Sequence, residues 1–156
     1  RRQPLDRALL ARRLKAAIAK RAGIRETNAM RLVFSEADGL PGLIVDRYAD
    51  HLVLQSRAAG MERWKDTIVD LLRKTMRPAG ILERSDKEFR DTEGLPPVTG
   101  VLTGRVPERI RIDETGDTTS TAMAPPGIGK WRVSPMRARP LAIIASAMGR
   151  PAAGET

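Results

Sequence analysis

The run Glu36-Ala-Asp-Gly-Leu-Pro-Gly-Leu-Ile-Val-Asp-Arg-Tyr48 constrains this chain more than any other stretch. It holds two turn-forming pairs, Asp38-Gly39 and Pro41-Gly42, separated only by Leu40. Asp bonds its own backbone two residues on, Pro presets φ, and Gly accepts positive φ without a steric cost. Met30–Phe34 lies upstream and Leu43–Val45 downstream, both short and β-prone. The stretch therefore predicts strand, compact double turn, strand. Turn chemistry alone explains its residues, so it demands no catalysis.

Around this hairpin the chain reads as one small α/β domain. Leu10, Leu14 and Ile18, with Ala17 beside them, predict a helix over 5–22, with Gly23 as its C-cap and Lys20 and Arg21 favourable in its last turn. Leu5 and Leu9 fall off the main stripe, which points to a second contact. Asp50-His51 predicts a tight turn into Leu52–Gln55. These strands are nearly continuous apolar runs, the pattern of a sheet covered on at least one face. Met61, Trp64, Ile68, Leu71 and Leu72 predict a helix over 61–76, with Met61 and Trp64 in the core. Ala79–Glu83 follows as a strand, Arg84–Gly94 as an exposed charged loop, and 101–114 as a final strand with Val106, Ile110 and Ile112 at alternate positions. The expected fold is α/β (α+β), a small mixed sheet of about four to five short strands with two helices and no Rossmann domain. The expected divisions are a basic linker helix over 1–25, the α/β domain over 26–116, and an irregular tail over 117–156 that ends frayed beyond Leu141–Met148.

Charge is unevenly placed. The chain of 156 residues carries a net charge of +9, with nine basic side chains against one acidic in residues 1–25, but fourteen against sixteen in 26–116. A basic end attracts phosphate backbones through counterion release, and a solvated helix face has the same composition. Arg12, Arg13, Lys15 and Lys20 are the first candidates for phosphate contact, and Arg84, Lys87 and Arg90 the second.

Catalytic constellations are missing. His51 is the single histidine and cysteine is absent, which disfavours a transition-metal site, a thiolate nucleophile and a disulfide framework. Carboxylates such as Glu36, Asp38, Asp46, Glu83, Asp86, Glu88, Asp91 and Glu93 each have basic neighbours and read as solvated ion pairs. Gly127-Ile-Gly-Lys130 fails the spacing of a phosphate loop. No strand, Gly-rich turn and helix occur in succession, so neither a dinucleotide nor S-adenosylmethionine has a seat. No apolar run approaches the about 18 residues of a membrane helix, and no secretory signal is present; a cytoplasmic location is expected.

The run Arg31-Leu-Val-Phe-Ser-Glu-Ala-Asp-Gly-Leu-Pro-Gly-Leu-Ile-Val-Asp-Arg-Tyr48 resembles a segment of the RlmI-like large-subunit ribosomal RNA (cytosine-C5) methyltransferases. Collinear matches follow at Leu52–Gln55, Ala59–Met61, Glu83–Asp86, Arg90, Glu93–Leu95, Gly104 and Ile112–Gly116, so the resemblance covers about residues 5–116. It implies a three-part enzyme with an N-terminal PUA RNA-binding domain, a central α/β domain and a Rossmann-like domain that binds S-adenosylmethionine. This chain resembles the central domain alone. The cysteine nucleophile of cytosine-C5 chemistry is absent, and Gly127–Trp131 and Pro135–Arg139 only echo the family's continuation, so no catalytic or cofactor-binding residue is carried over. The resemblance implies a truncated or frame-disrupted fragment, inactive by itself, with ribosomal RNA as the partner of the intact enzyme and no metal or membrane. The alternative is a protein-interaction or RNA-binding module, self-associating through surfaces left exposed, with an apolar patch around Leu5, Leu9 and Leu10.

Overall fold

The computed structural model describes residues 4–114, 118–123 and 132–133. Helix α1 spans Arg7–Arg21; the Asp6 side chain accepts a hydrogen bond from the Leu9 amide at 2.7 Å and caps its N-terminus. The helix ends at Ala22 in right-handed geometry, not at Gly23, because the Ala22 and Ile24 amides bond back to Ala19 and Arg21 in tight three-residue steps. No left-handed residue is then needed.

Strands β1 (Ala29–Phe34), β2 (Leu43–Tyr48) and β3 (His51–Ser56) form an antiparallel meander. Its first connection is a 3-10 turn over Ser35–Asp38 followed by Gly39 at φ 70°. Leu40, between the two turn pairs, is fully buried and plugs the core. Gly42, at φ 79°, is required twice over: a Cβ there would sit 2.5 Å from that of Ala58. The second connection turns at Ala49-Asp50, and His51 opens β3 rather than sitting at the tip.

A crossover over residues 57–79 then places β4 (Gly80–Ser85) parallel to β3. The crossover carries two helices, α2 (Ala59–Glu62) and α3 (Lys65–Met76), where the spacing predicts one over 61–76. Trp64 breaks it with φ −101°, ψ 5°. The apolar period runs unbroken across that step, so the pattern does not reveal it. The stretch expected as a charged loop extends β4 to Ser85, then forms a helical turn α4 (Lys87–Arg90) and a 3-10 turn over Asp91–Glu93. Strand β5 (Val98–Gly104) completes the sheet in the order β1-β2-β3-β4-β5.

The expected final strand over 101–114 is two elements. Gly104 at φ 70° ends β5, and β6 (Arg109–Glu114) belongs to a second sheet with β7 (Thr118–Met123) and β8 (Arg132–Val133). Strands β7 and β8 occupy part of the stretch expected to be irregular; the remainder of that expectation, with the Gly127–Trp131 and Leu141–Met148 segments, lies outside the described residues.

Both faces of the five-stranded sheet are used. One packs Leu32, Leu43, Val45, Leu52, Leu54 and Ile81 against α1 and α3 through Leu10, Leu14, Ile68 and Leu72. Helix α1 is therefore packed into the core. Leu9 is 3% and Leu10 0% exposed, so the apolar patch expected on that helix is spent inside the domain. On the opposite face Val53 packs with Ile110 and Ile112 of β6, and Tyr48 and Leu82 lean on them.

Candidate nucleic-acid interface

Two ion networks lie on the helix side of the sheet. Along β4 the inward positions are Ile81, Glu83 and Ser85, so the pleat drives a carboxylate into the core. Glu83 is 1% exposed; Lys65 donates to its two oxygens at 3.0 and 2.9 Å, and the Ser85 hydroxyl donates at 2.8 Å. Arg90, also 1% exposed, donates to the Ser56 carbonyl at 2.7 Å and to Glu62 at 2.9 Å, and Lys65 bonds Glu62 as well. Burial pushes the Glu62 pKa up, but hydrogen bonds from Arg90 and Lys65 outweigh it and hold the carboxyl at about 2. Every charge is matched, as burial requires. The arrangement ties α2, α3 and α4 to β3 and β4. It leaves no free acid or base for proton transfer, because each carboxylate oxygen is committed to a cation.

The second network anchors the double turn. Asp38 accepts from the Phe34 amide at 2.8 Å and pairs with Arg21 at 2.9 Å and Lys20 at 3.2 Å. Burial raises the Asp38 pKa, and Arg21 with the Phe34 amide more than reverse it, leaving it below the ordinary value. Arg13 donates to the Gly39 carbonyl, fastening α1 to the same turn. Asp38 is thus a buried clasp as well as a turn former.

The outer face of the sheet carries a different cluster. Arg31 pairs with Asp46 through two hydrogen bonds, at 2.8 and 3.2 Å, and its guanidinium lies 5.2 Å from the Phe34 ring centroid. Its hydrogen bond to Asp46 raises the Arg31 pKa. Arg57 donates to Gln55 at 3.1 Å, and Arg84 pairs with Asp86 at 3.2 Å. Burial and the Asp46 charge push the Tyr48 hydroxyl to about 12. Among the described residues no group of three or more His, Asp or Glu is placed to hold a metal ion, and no helix is long and apolar enough to cross a membrane.

No family model matches the chain. The ribosomal RNA large subunit methyltransferase I of Shewanella amazonensis is 45% identical over 118 residues, taking in 73% of this chain and 30% of that protein. Its counterpart from Alteromonas mediterranea is 41% identical over 117 residues, with the same two shares of 73% and 30%. This chain belongs, as a part, to the RlmI-like family. It spans about 30% of the length of the curated relatives it matches. A solved chain from Streptococcus mutans, titled as a SAM-dependent methyltransferase, superposes with a TM-score of 0.67 at 22% identity, over 83% of this chain and 33% of the other. A second solved chain, titled as a methyltransferase complexed with SAH, gives the same TM-score of 0.67 at 20% identity, over 82% and 32%. At that identity the two structures establish a shared α/β fold.

Within this RlmI-like piece the predicted contact residues separate onto two faces. Arg12 and Lys15 are exposed on α1, Lys20 reaches Asp38 with most of its side chain in solvent, and Arg13 is committed to the Gly39 carbonyl. Arg84 lies on the outer sheet face, opposite α1, and Lys87 is exposed on α4. Arg90 does not fit the set: its guanidinium points inward to Glu62 and the Ser56 carbonyl. Nor are Asp38 and Glu83 the solvated pairs expected: both are buried. The signal available in the sequence was the alternation Ile81, Glu83, Ser85, which puts Glu83 on the face of Ile81. Arg31, Arg57 and Phe34 were not among the expected contact residues, because their proximity depends on strand register.

Proposed function

We propose that this chain is the central domain of an S-adenosylmethionine-dependent ribosomal RNA (cytosine-C5) methyltransferase. It stands between an RNA-binding PUA domain and the catalytic domain, in the cytoplasm, and serves as a scaffold that contributes RNA contacts. The observation that carries the reading is the match of 41–45% identity to proteins named as ribosomal RNA large subunit methyltransferase I, over 30% of their length. Exposed cations on α1 and the half-buried arginines of the outer sheet face supply the electrostatic part of RNA contact.

Among the described residues, those lining one cavity do not fit S-adenosylmethionine. That cavity, of about 290 Å³, is lined by Arg47, Asp50, Met76 and Arg77 among others. It lies at the C-terminal end of α3, where helix carbonyls disfavour the ligand's carboxylate and two arginines disfavour its sulfonium. No step of the methyl transfer is assigned to this chain.

The test combines the full chain, labelled S-adenosylmethionine and a structured fragment of large-subunit ribosomal RNA. Expected are background methyl incorporation and RNA binding that weakens as salt rises. Methyl transfer above background overturns the non-catalytic assignment. Absent or salt-insensitive binding overturns the RNA contact.

A further inference from the structure

We propose that the part of the outer sheet face bearing Phe34, Arg31, Arg57 and Arg84 binds a single-stranded segment of RNA, with a base stacked on Phe34 and phosphates on the guanidinium groups. This rests on the RNA reading above and names the face. Register builds the surface: Phe34 stands opposite Ile44 and Ile44 opposite Gln55, and one step beyond the Leu54–Glu83 pair Arg84 stands opposite Thr99, which extends the row across the sheet. Strand β6 covers only the neighbouring part, through Ile110 and Ile112 on Val53.

Three features favour RNA. Phe34 is 40% exposed with the Arg31 guanidinium over its ring, and a ring and guanidinium paired in this way form a stacking platform for an unpaired base. The cations are crowded: burial and the nearby Arg31 charge lower the Arg57 pKa, a strain that a phosphate would relieve. The Arg84 Nε–H is buried without an acceptor. Asp46 and Asp86 are each neutralised by their own arginine, and Glu36 stands beside Arg57. A covering protein domain calls for an apolar face. Here Ile44 is already 1% exposed, and apart from Phe34 its companions in the row are the polar Gln55, Arg84 and Thr99.

The experiment measures binding of the full chain to a labelled single-stranded oligoribonucleotide and to the same sequence as a duplex, across a salt series. Phe34→Ala is expected to weaken single-strand binding about tenfold with an unchanged salt slope, the size of one lost stacking contact. Arg84→Gln is expected to lower the slope by about 0.7, and Arg84→Lys to retain it. Circular dichroism confirms that each variant is folded. If Phe34→Ala and Arg84→Gln bind like the parent while Lys15→Ala loses affinity, this face is not the contact, and the RNA reading survives on α1. Equal losses on the duplex overturn the single-strand assignment. A parent chain that binds neither RNA overturns both readings.

Discussion

Arg90 shows how far a side chain's role depends on what folds around it. In sequence it is one of several cations in a mixed-charge stretch; in the fold it is 1% exposed and holds Glu62 and the Ser56 carbonyl. Removing one partner of a buried pair strands the other, which costs more than the pair itself contributes. Arg90→Ala is therefore expected to lower unfolding free energy by about 3 kcal/mol. Lys87→Ala, three residues away and exposed, is expected to stay within about 0.5 kcal/mol of the parent. Urea titrations at neutral pH compare the two, and equal midpoints would show that the network is not structural. The sequence marked Arg90 as a cation but could not give its direction, because inward and outward positions on a single helical turn differ only in what packs above them.

Helix α1 was legible as a helix, but its place in the core was not. Its stripe, Leu10, Leu14 and Ala17, announces a buried face without naming the surface it meets. The surface turns out to be the inner side of the sheet and α3. Two substitutions distinguish the roles. Leu14→Ala is expected to destabilise the domain by about 2–5 kcal/mol, as a cavity in a packed core does. Asp6→Ala, which removes the cap on the Leu9 amide, is expected to cost about 1 kcal/mol. Both should shift one cooperative thermal transition; a linker helix would leave the main transition where it was. The double turn behaved differently. Gly39 and Gly42 both adopt left-handed φ, as Asp-Gly and Pro-Gly pairs suggest, because the constraint is local. The clasp from Asp38 to Arg21 was not legible, since its partners are 17 residues apart.

For the whole molecule, the buried networks set the response to acid. Glu62 has a folded pKa of about 2 against an ordinary 4.5, and Asp38 is lowered from 3.8. Depressed carboxyl pKa values contribute stability that is present above the unfolded values and lost as pH falls through the folded ones. Stability should thus hold from neutrality down to about pH 5 and decline between about pH 4.5 and 2. Glu62→Gln is expected to flatten that decline. Urea midpoints measured at pH 7, 4 and 3 check it, and parallel declines in parent and variant would remove Glu62 from the explanation.

Local chemistry was sufficient for the turns, the helical periods, the β-prone runs and the collinear motifs that place the chain in the RlmI-like family. These depend on neighbours within a few residues, or on residue order alone. The break at Trp64, the separation of β5 from β6, the inward course of Arg90 and Glu83, and the meeting of Phe34 with Arg31, Arg57 and Arg84 followed from strand register and the packing of two sheet faces. Register is a long-range choice: it decides which distant side chains share a face, and pairing between strands sets it, not the spacing within any one of them.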